Sequence, residues 1–281
     1  MIISIASGKG GTGKTTIAAN LAFSLPRARI LDCDVEEPNV HLFIKPDIDY
    51  REEVGTAIPL IDEELCDGCR KCVDICRFRA LTMIGDKILT FPEMCHSCGG
   101  CLAVCPRGAV SETSRRLGII EGGRRDNITF FHGLLRVGES MSPPLIKKVR
   151  SFCRPDEINI IDAPPGTSCP VIMATKDTDF VVLVTEPTPF GLHDLKLAVE
   201  AMKLLGVPMG LVINRADMGD DKVLRYAEAE QIPLLLSIPF KREIAAVYSR
   251  GELFAQAFPE WQERFRGMFA EITAIVEGGR K

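Results

Sequence analysis

Gly8-Lys9-Gly10-Gly11-Thr12-Gly13-Lys14-Thr15-Thr16 is the stretch that decides the fold. It follows a short apolar run, Ile2 to Ala6. It leads into Ile17 to Leu25, which reads as a helix stopped by Pro26. A strand, a glycine loop and a helix start, in that order, make an anion site. Glycines let successive backbone N–H groups curl around phosphate oxygens, and the helix N-terminus adds its positive end. Gly8 and Gly13 hold the spacing of a nucleotide-phosphate loop. Lys14 is placed to reach the β- and γ-phosphates, and the Thr15 hydroxyl to ligate Mg²⁺. A flexible glycine turn is the alternative, and it does not explain why strand, loop, Lys-Thr pair and helix coincide.

Outward from the loop, apolar runs alternate with helical stretches. Arg29 to Leu31 reads as a strand ending at Asp32. Further runs are Ile128 to Phe131, Ile158 to Ile161, Phe180 to Val184, Met209 to Ile213 and Leu234 to Ile238. His193 to Leu205 and Asp220 to Glu230 read as helices between the later ones. This order predicts an α/β protein with a mostly parallel, doubly wound sheet. Between about residues 51 and 112 the apolar periodicity weakens and turn residues dominate. The chain is therefore divided into a nucleotide-binding domain, residues 1–50 and 113–281, and a small inserted α+β domain, residues 51–112, docked on it.

Carboxylates follow two of the strands. Asp32-Cys33-Asp34 ends one, and Ile160-Ile161-Asp162 ends another. An Asp after an apolar strand is the arrangement that holds Mg²⁺ directly or through water, and Asp162 is assigned that role. Pro164-Pro165-Gly166 behind it joins a rigid proline pair to a permissive glycine, which suits a segment with two positions. The alternative for Asp32 and Asp34 is a pair of aspartates capping a turn.

Cysteine is the unusual count: 11 in 281 residues, eight of them between Cys66 and Cys105. They form Cys66-x₂-Cys69-x₂-Cys72-x₃-Cys76 and, again, Cys95-x₂-Cys98-x₂-Cys101-x₃-Cys105-Pro106. This is the bacterial ferredoxin run, twice. Three cysteines of each run bind one iron–sulfur cluster and the fourth reaches the other. The expected ligand sets are Cys66, Cys69, Cys72 and Cys105 for one 4Fe–4S cluster, and Cys95, Cys98, Cys101 and Cys76 for the second. Two zinc ions are the alternative, since Cys-x₂-Cys pairs also make tetrahedral zinc sites; the strict x₂, x₂, x₃ repeat favours iron–sulfur. Arg77 stands where the first run lacks the proline of the second, so Arg77 and Arg79 are expected near a cluster.

Net charge is −4, with 46% hydrophobic and 26% charged residues. That excludes a disordered chain and disfavours nonspecific nucleic-acid binding. No long apolar run and no basic leader is seen, so a cytoplasmic protein is expected, in a compartment where clustered cysteines are metal ligands. Trp261, Phe265, Met268, Phe269, Ile272, Ile275 and Val276 form an apolar stripe near the C-terminus. It is read as a helix packed on the sheet; a membrane-binding helix is the alternative.

The extra lysine, Lys9, in Lys-Gly-Gly-Thr-Gly-Lys-Thr-Thr resembles the deviant Walker A loop of the MinD/ParA superfamily, which includes the nitrogenase iron protein and Mrp-type proteins. With the cysteine segment, the chain resembles P-loop ATPases of that superfamily carrying an inserted ferredoxin domain. Gly138 to Leu145 and Tyr248 to Gly251 are similar to that group too. The resemblance implies ATP as nucleotide, a nucleotide-dependent homodimer, and Lys9 contacting phosphates across its interface. It implies Asp34 as the group that orients the attacking water, Asp32 as a support of the Mg²⁺ shell, and a Gly166 amide that senses the γ-phosphate. It implies Asn214 and Pro239 as base contacts; a simple turn is the alternative for Asn214. An unidentified redox or client protein is the further partner implied. Three functions are open: an ATPase coupled to electron transfer, a nucleotide-switched scaffold for cluster assembly, or a passive redox module in which ATP is a structural ligand. Cys33 and Cys169 flank the two switch segments and are small hydrophobes or redox-sensitive groups. The C-terminal Cys-x-x-Cys of Mrp-type scaffolds is missing.

Overall fold

The computed structural model describes residues 1–279, built on a nine-stranded sheet with a separate two-stranded hairpin. In chain order the strands are β1 (Ile2–Ala6), β2 (Ala28–Asp32), β3 (Asp47–Ile61), β4 (Leu81–Ile84), β5 (Lys87–Thr90), β6 (Val110–Arg125), β7 (Ile128–Leu135), β8 (Asn159–Asp162), β9 (Phe180–Thr185), β10 (Met209–Asn214) and β11 (Leu234–Ile238). The large sheet runs β11-β10-β9-β1-β8-β2-β7-β6-β3. Neighbours from β11 to β7 are parallel. β6 is antiparallel to β7 and to β3. The sheet is thus mostly parallel with helices on both faces.

Its strands are buried on both sides, which is why they are apolar without alternation. Phe180, Val182 and Val184 enter one core with Ile17, Leu21, Phe265 and Ile272; Val181 and Leu183 enter the other with Leu145, Leu195 and Val199. The helix Pro259–Gly279 spends its apolar stripe, Trp261, Phe265, Met268, Ile272 and Val276, on the first core. Among the described residues no helix is long and apolar enough to cross a membrane.

Strands β3 and β6 pair from Asp47 opposite Arg124 to Ile61 opposite Val110. The ladder passes residues 51 and 112 without a break, so the cysteine-rich segment is carried on an extension of the sheet itself. Neither strand is visible as an apolar run, because the outer ribbon is largely exposed and charged. Beyond it lie the β4–β5 hairpin and two short helices, Lys71–Ile75 and Gly100–Ala103. Leu81, Ile88, Val110 and Cys72 close a small core of their own there.

A polar row crosses the sheet. Asp162, Asp32, His132, Glu121 and Arg51 stand opposite one another on β8, β2, β7, β6 and β3. Register partners on adjacent strands share a face. His132 Nε2 lies 3.1 Å from Glu121, and Arg51 lies 3.2 Å from the same carboxylate. The His41 ring meets the His132 ring edge-on at 5.2 Å. Burial holds His132 below the ordinary histidine range, and Glu121 only partly opposes it. A buried neutral histidine stabilises the fold above the unfolded pKa and ceases to as pH falls through it. As pH is lowered from about 7.5 to about 5.5 the melting temperature should therefore fall relative to that of His132→Gln, the buried carboxylates acting alike in both proteins. An identical pH dependence of melting in the two would refute the assignment.

Candidate nucleotide and cluster sites

The loop after β1 turns on Gly11 and Gly13, whose φ angles of 77° and 97° lie in the left-handed region. Gly8 is required by close approach, since a Cβ there would sit 2.1 Å from the Asp194 carbonyl oxygen. The loop delivers the chain into the helix Lys14–Ser24, with Lys14 buried at its start. In the first turn Thr15 Oγ1 donates to Asp162 Oδ2 at 2.5 Å. The other carboxylate oxygen, Asp162 Oδ1, is buried with no hydrogen-bond partner. Leaving such an oxygen unpaired is costly. A hard divalent cation beside the hydroxyl would satisfy it, so these residues fit Mg²⁺.

Three carboxylates crowd this end of the sheet. Burial pushes Asp34 up to about 6, with Lys14 opposing and Glu36 and Glu37 adding to the rise. Asp32 and Asp162 are both pushed upward, first by burial; for Asp32 the Asp162 charge comes next. Bound cation would reverse that trend. Asp32 does not offer a free oxygen. Its Oδ1 accepts the Asp34 N–H at 3.1 Å, and its Oδ2 accepts those of Asn39 and Val40 at 2.9 and 3.0 Å. It ties down residues 34–40, which is the turn-capping role.

A cleft of about 300 Å³ runs from Gly10, Gly11 and Gly13 to Thr16, past Asp34 and Pro165, to Asn214 and Pro239. Phe240 and Tyr248 wall its far end. Asn214 reaches back to the loop, its Nδ2 donating to the Thr12 carbonyl at 2.9 Å. A Cβ on Gly13 would lie 2.5 Å from that same nitrogen, so glycine and asparagine fit as a pair. Gly166, at φ 96°, donates its N–H to the Ser7 carbonyl at 3.0 Å.

Lys9 lies outside the cleft lining, its Nζ 4.0 Å from Glu186. Glu186 also pairs with Arg215 at 2.9 Å. Neither was singled out from the sequence, although Glu186 follows the apolar β9 as Asp162 follows β8. Groups that meet ligands collect at the carboxyl ends of such strands, and that rule would have found it.

The cysteines divide into two nests. Cys76, Cys95, Cys98 and Cys101 border one cavity; Cys66, Cys69, Cys72 and Cys105 border another. The fourth cysteine of each run sits with the first three of the other. Among the described residues no three His, Cys, Asp or Glu side chains converge on a single metal-ion position; each set of four surrounds a space instead. The Ala80 N–H points to Cys76 Sγ at 3.2 Å and the Ser97 N–H to Cys95 Sγ at 3.4 Å. Burial raises Cys105, but the N–H groups of residues 107–110 outweigh it and hold the thiol low. Such donors favour the thiolate, the form that ligates metal. Eight soft thiol ligands in two groups of four fit a pair of iron–sulfur clusters. Arg79 lies by Cys76 in an open hollow. Cys33 is fully buried with its thiol pushed up, Cys153 is pushed up likewise, and Cys169 is exposed.

The chain is also similar to known proteins. The profile of the CobQ/CobB/MinD/ParA nucleotide binding domain matches residues 3–254. An iron-sulfur cluster carrier protein of Aquifex aeolicus is 25% identical over 303 residues, 98% of this chain and 68% of its own length. A ferredoxin of Methanocaldococcus jannaschii, MJ0199, is 43% identical over 53 residues, 18% of this chain and 86% of its own. The septum site-determining protein MinD of Pyrococcus horikoshii, solved with Mg-ADP, superposes with a TM-score of 0.60 at 21% identity, covering 98% of this chain and 96% of its own.

Thr15→Val should weaken ADP binding by about tenfold or more in Mg²⁺, measured by calorimetry, and leave binding in EDTA nearly unchanged. Equal loss in both buffers would remove Thr15 from the cation site. After anaerobic reconstitution the protein should hold about eight irons, and Cys66→Ser with Cys105→Ser together should leave about four. Near-total loss of iron in that double variant would mean that each run serves its own cluster.

Proposed function

Because the chain belongs to the CobQ/CobB/MinD/ParA nucleotide-binding family, we propose that it is a Mg²⁺-dependent ATPase whose switch segments are coupled to an inserted two-cluster ferredoxin domain. The observation that carries this reading is the attachment. Val35, next to Asp34, accepts the Leu135 N–H at 2.8 Å, and the following residue, Arg136, donates its N–H to the Leu117 carbonyl at 2.9 Å. Leu117 lies on β6, one of the two strands that carry the cysteines. A movement of residues 34–40 on nucleotide binding is therefore imposed on the base of the ribbon.

In this reading the chain's own residues do the following. The backbone N–H groups of the loop and Lys14 hold the phosphates. Thr15 and Asp162 would hold Mg²⁺, which would supply charge neutralisation to the phosphates. Asp34 orients the attacking water and takes its proton. Lys9 leaves Glu186 and reaches the nucleotide of a second copy, which makes hydrolysis depend on dimerisation. Gly166 gives up the Ser7 carbonyl when a γ-phosphate offers its N–H a charged acceptor. Asn214 and Pro239 receive the base. The two sets of four cysteines would hold iron–sulfur clusters, which would supply one-electron chemistry, and the ribbon sets where those cysteines are presented.

A second reading is a nucleotide-switched factor for iron–sulfur assembly, favoured by the likeness to the carrier of Aquifex aeolicus.

The test is anaerobic hydrolysis of ATP with the clusters oxidised and with them reduced by dithionite. Coupling predicts different turnover in the two states, and Asp34→Ala should lower kcat by about 10²-fold or more with little change in KM. Equal turnover, together with transfer of iron to an apo-acceptor, would favour the assembly factor.

A further inference from the structure

Arg115 stands on β6 directly opposite Thr56 on β3, so the two side chains share one face of the ribbon. Thr56 is hydrogen-bonded to the Ser97 hydroxyl at 2.7 Å, and Ser97 also donates to the Ala57 carbonyl at 2.5 Å. The segment Cys95 to Ser97 is thereby seated on that face, with Cys95 Sγ 4.0 Å from the Ala57 carbonyl. The arginine is thus on the ribbon face that seats Cys95 to Ser97, just outside the residues that line the nest of Cys76, Cys95, Cys98 and Cys101.

Its guanidinium is held from the other side. One nitrogen, Nη1, donates to the Glu139 carboxylate, which is itself 1% exposed and also accepts the Met141 N–H at 3.2 Å. Arg136 approaches the same carboxylate at 3.7 Å and Glu93, in the cysteine segment, at 3.9 Å. Yet Nε and Nη2 of Arg115 are buried with no hydrogen-bond partner, on a side chain only 10% exposed. A buried guanidinium with two idle donors is a costly arrangement unless a further acceptor completes it. Sulfur carrying negative charge in the neighbouring nest is such an acceptor. This also gives Gly138-Glu139-Ser140 a purpose that the sequence alone did not supply.

We propose that Arg115 is a positioning residue for the cluster held by Cys76, Cys95, Cys98 and Cys101, raising its reduction potential by charge and N–H donation, and that Glu139 sets how much of that charge it feels. The inference rests on the cluster reading above. The second nest is lined by Ile61 and Val110, about 17 Å along the ribbon from Arg115 at the rise of an extended strand. Arg115 therefore makes the two clusters unequal, with the one nearer the nucleotide site the better electron acceptor. Charge and hydrogen bonds to sulfur are established controls of cluster potential.

The test is a redox titration of the reconstituted full-length chain, followed by electron paramagnetic resonance, with iron content measured on each sample. About eight irons per chain supports the cluster reading independently of what the potentials do. Arg115→Met should lower the potential of one cluster, and Glu139→Gln should raise the potential of that same cluster. At fixed poise each should change its oxidised-to-reduced ratio by about tenfold or more, equivalent to about 59 mV for one electron. The other cluster should stay in place. Arg115→Lys keeps the charge and loses the fork, so a smaller shift in the Arg115→Met direction is expected. It also carries the test if Arg115→Met fails to assemble. Two potentials unmoved in Arg115→Lys and Glu139→Gln, or shifts of one sign in Arg115→Met and Glu139→Gln, would reduce Arg115 to a brace between ribbon and loop and overturn the proposal.

Discussion

Antiparallel pairing between Asp47–Ile61 and Val110–Arg125 is the constraint on which the rest of the molecule hangs. A cysteine-rich segment with a core as small as Leu81, Ile88, Val110 and Cys72 has little apolar area with which to fix its own position. The ladder fixes it instead. β6 is bonded to β7, β7 to β2, and β2 ends in the carboxylate that ties down residues 34–40. Backbone hydrogen bonds thus link thiols to carboxylates, with register shifts in the ribbon at Ile48/Tyr50 and Val54/Gly55. No hinge of glycine or proline lies between β6 and β7, only the short turn Asp126-Asn127.

At the other end of that path the chain accepts instability. Asp32, Asp34 and Asp162 gather at neighbouring strand ends, and burial drives all three toward protonation. Buried like charges are tolerated where a cation is to be bound, and the unpartnered Asp162 oxygen marks the place. Lys9 and Arg215 meeting on Glu186 repeat the theme with the opposite sign. There two cations share one carboxylate, and either is released only by giving up that pairing.

The phosphate loop, the parallel strands and the cysteine repeat were legible because each is local. Gly11 and Gly13 need left-handed backbone, and a buried strand such as Phe180 to Val184 needs apolar residues on both faces. The helix from Pro259 was legible for the same reason, through its stripe. The long ribbon was not. Its stability comes from pairing with a strand far away in the chain, so its residues are free to be polar, and Tyr50-Arg51-Glu52-Glu53 shows no pattern to read. Glu186 and Arg115 were missed because their meaning lies in partners distant in sequence: Lys9 and Arg215 for the first, Glu139 and Cys95 for the second. Asp32 was recognised as a strand-end carboxylate, but the three N–H groups it accepts, which make it a loop anchor, come from residues whose approach only the fold shows.

The ribbon also dictates an order of assembly. Ile61 and Val110 are paired, yet residues 62–109, which is 109 − 62 + 1 = 48 positions, separate them in the chain. Closing a flexible loop of that length costs about 3 kcal/mol of chain entropy. That expense falls away once the intervening segment has collapsed around whatever its thiols bind, because its ends are then already adjacent. Strand β3, the outermost of the sheet, therefore zips onto β6 most readily after the cysteine nests have formed. Were those nests to hold the clusters proposed above, a chain short of iron or sulfide would complete its nucleotide half and the local β6–β7 hairpin while the sheet edge at β6 stayed open, an unpaired strand available to other chains. Metal supply would then act on this protein first as a folding chaperone and only afterwards as chemistry.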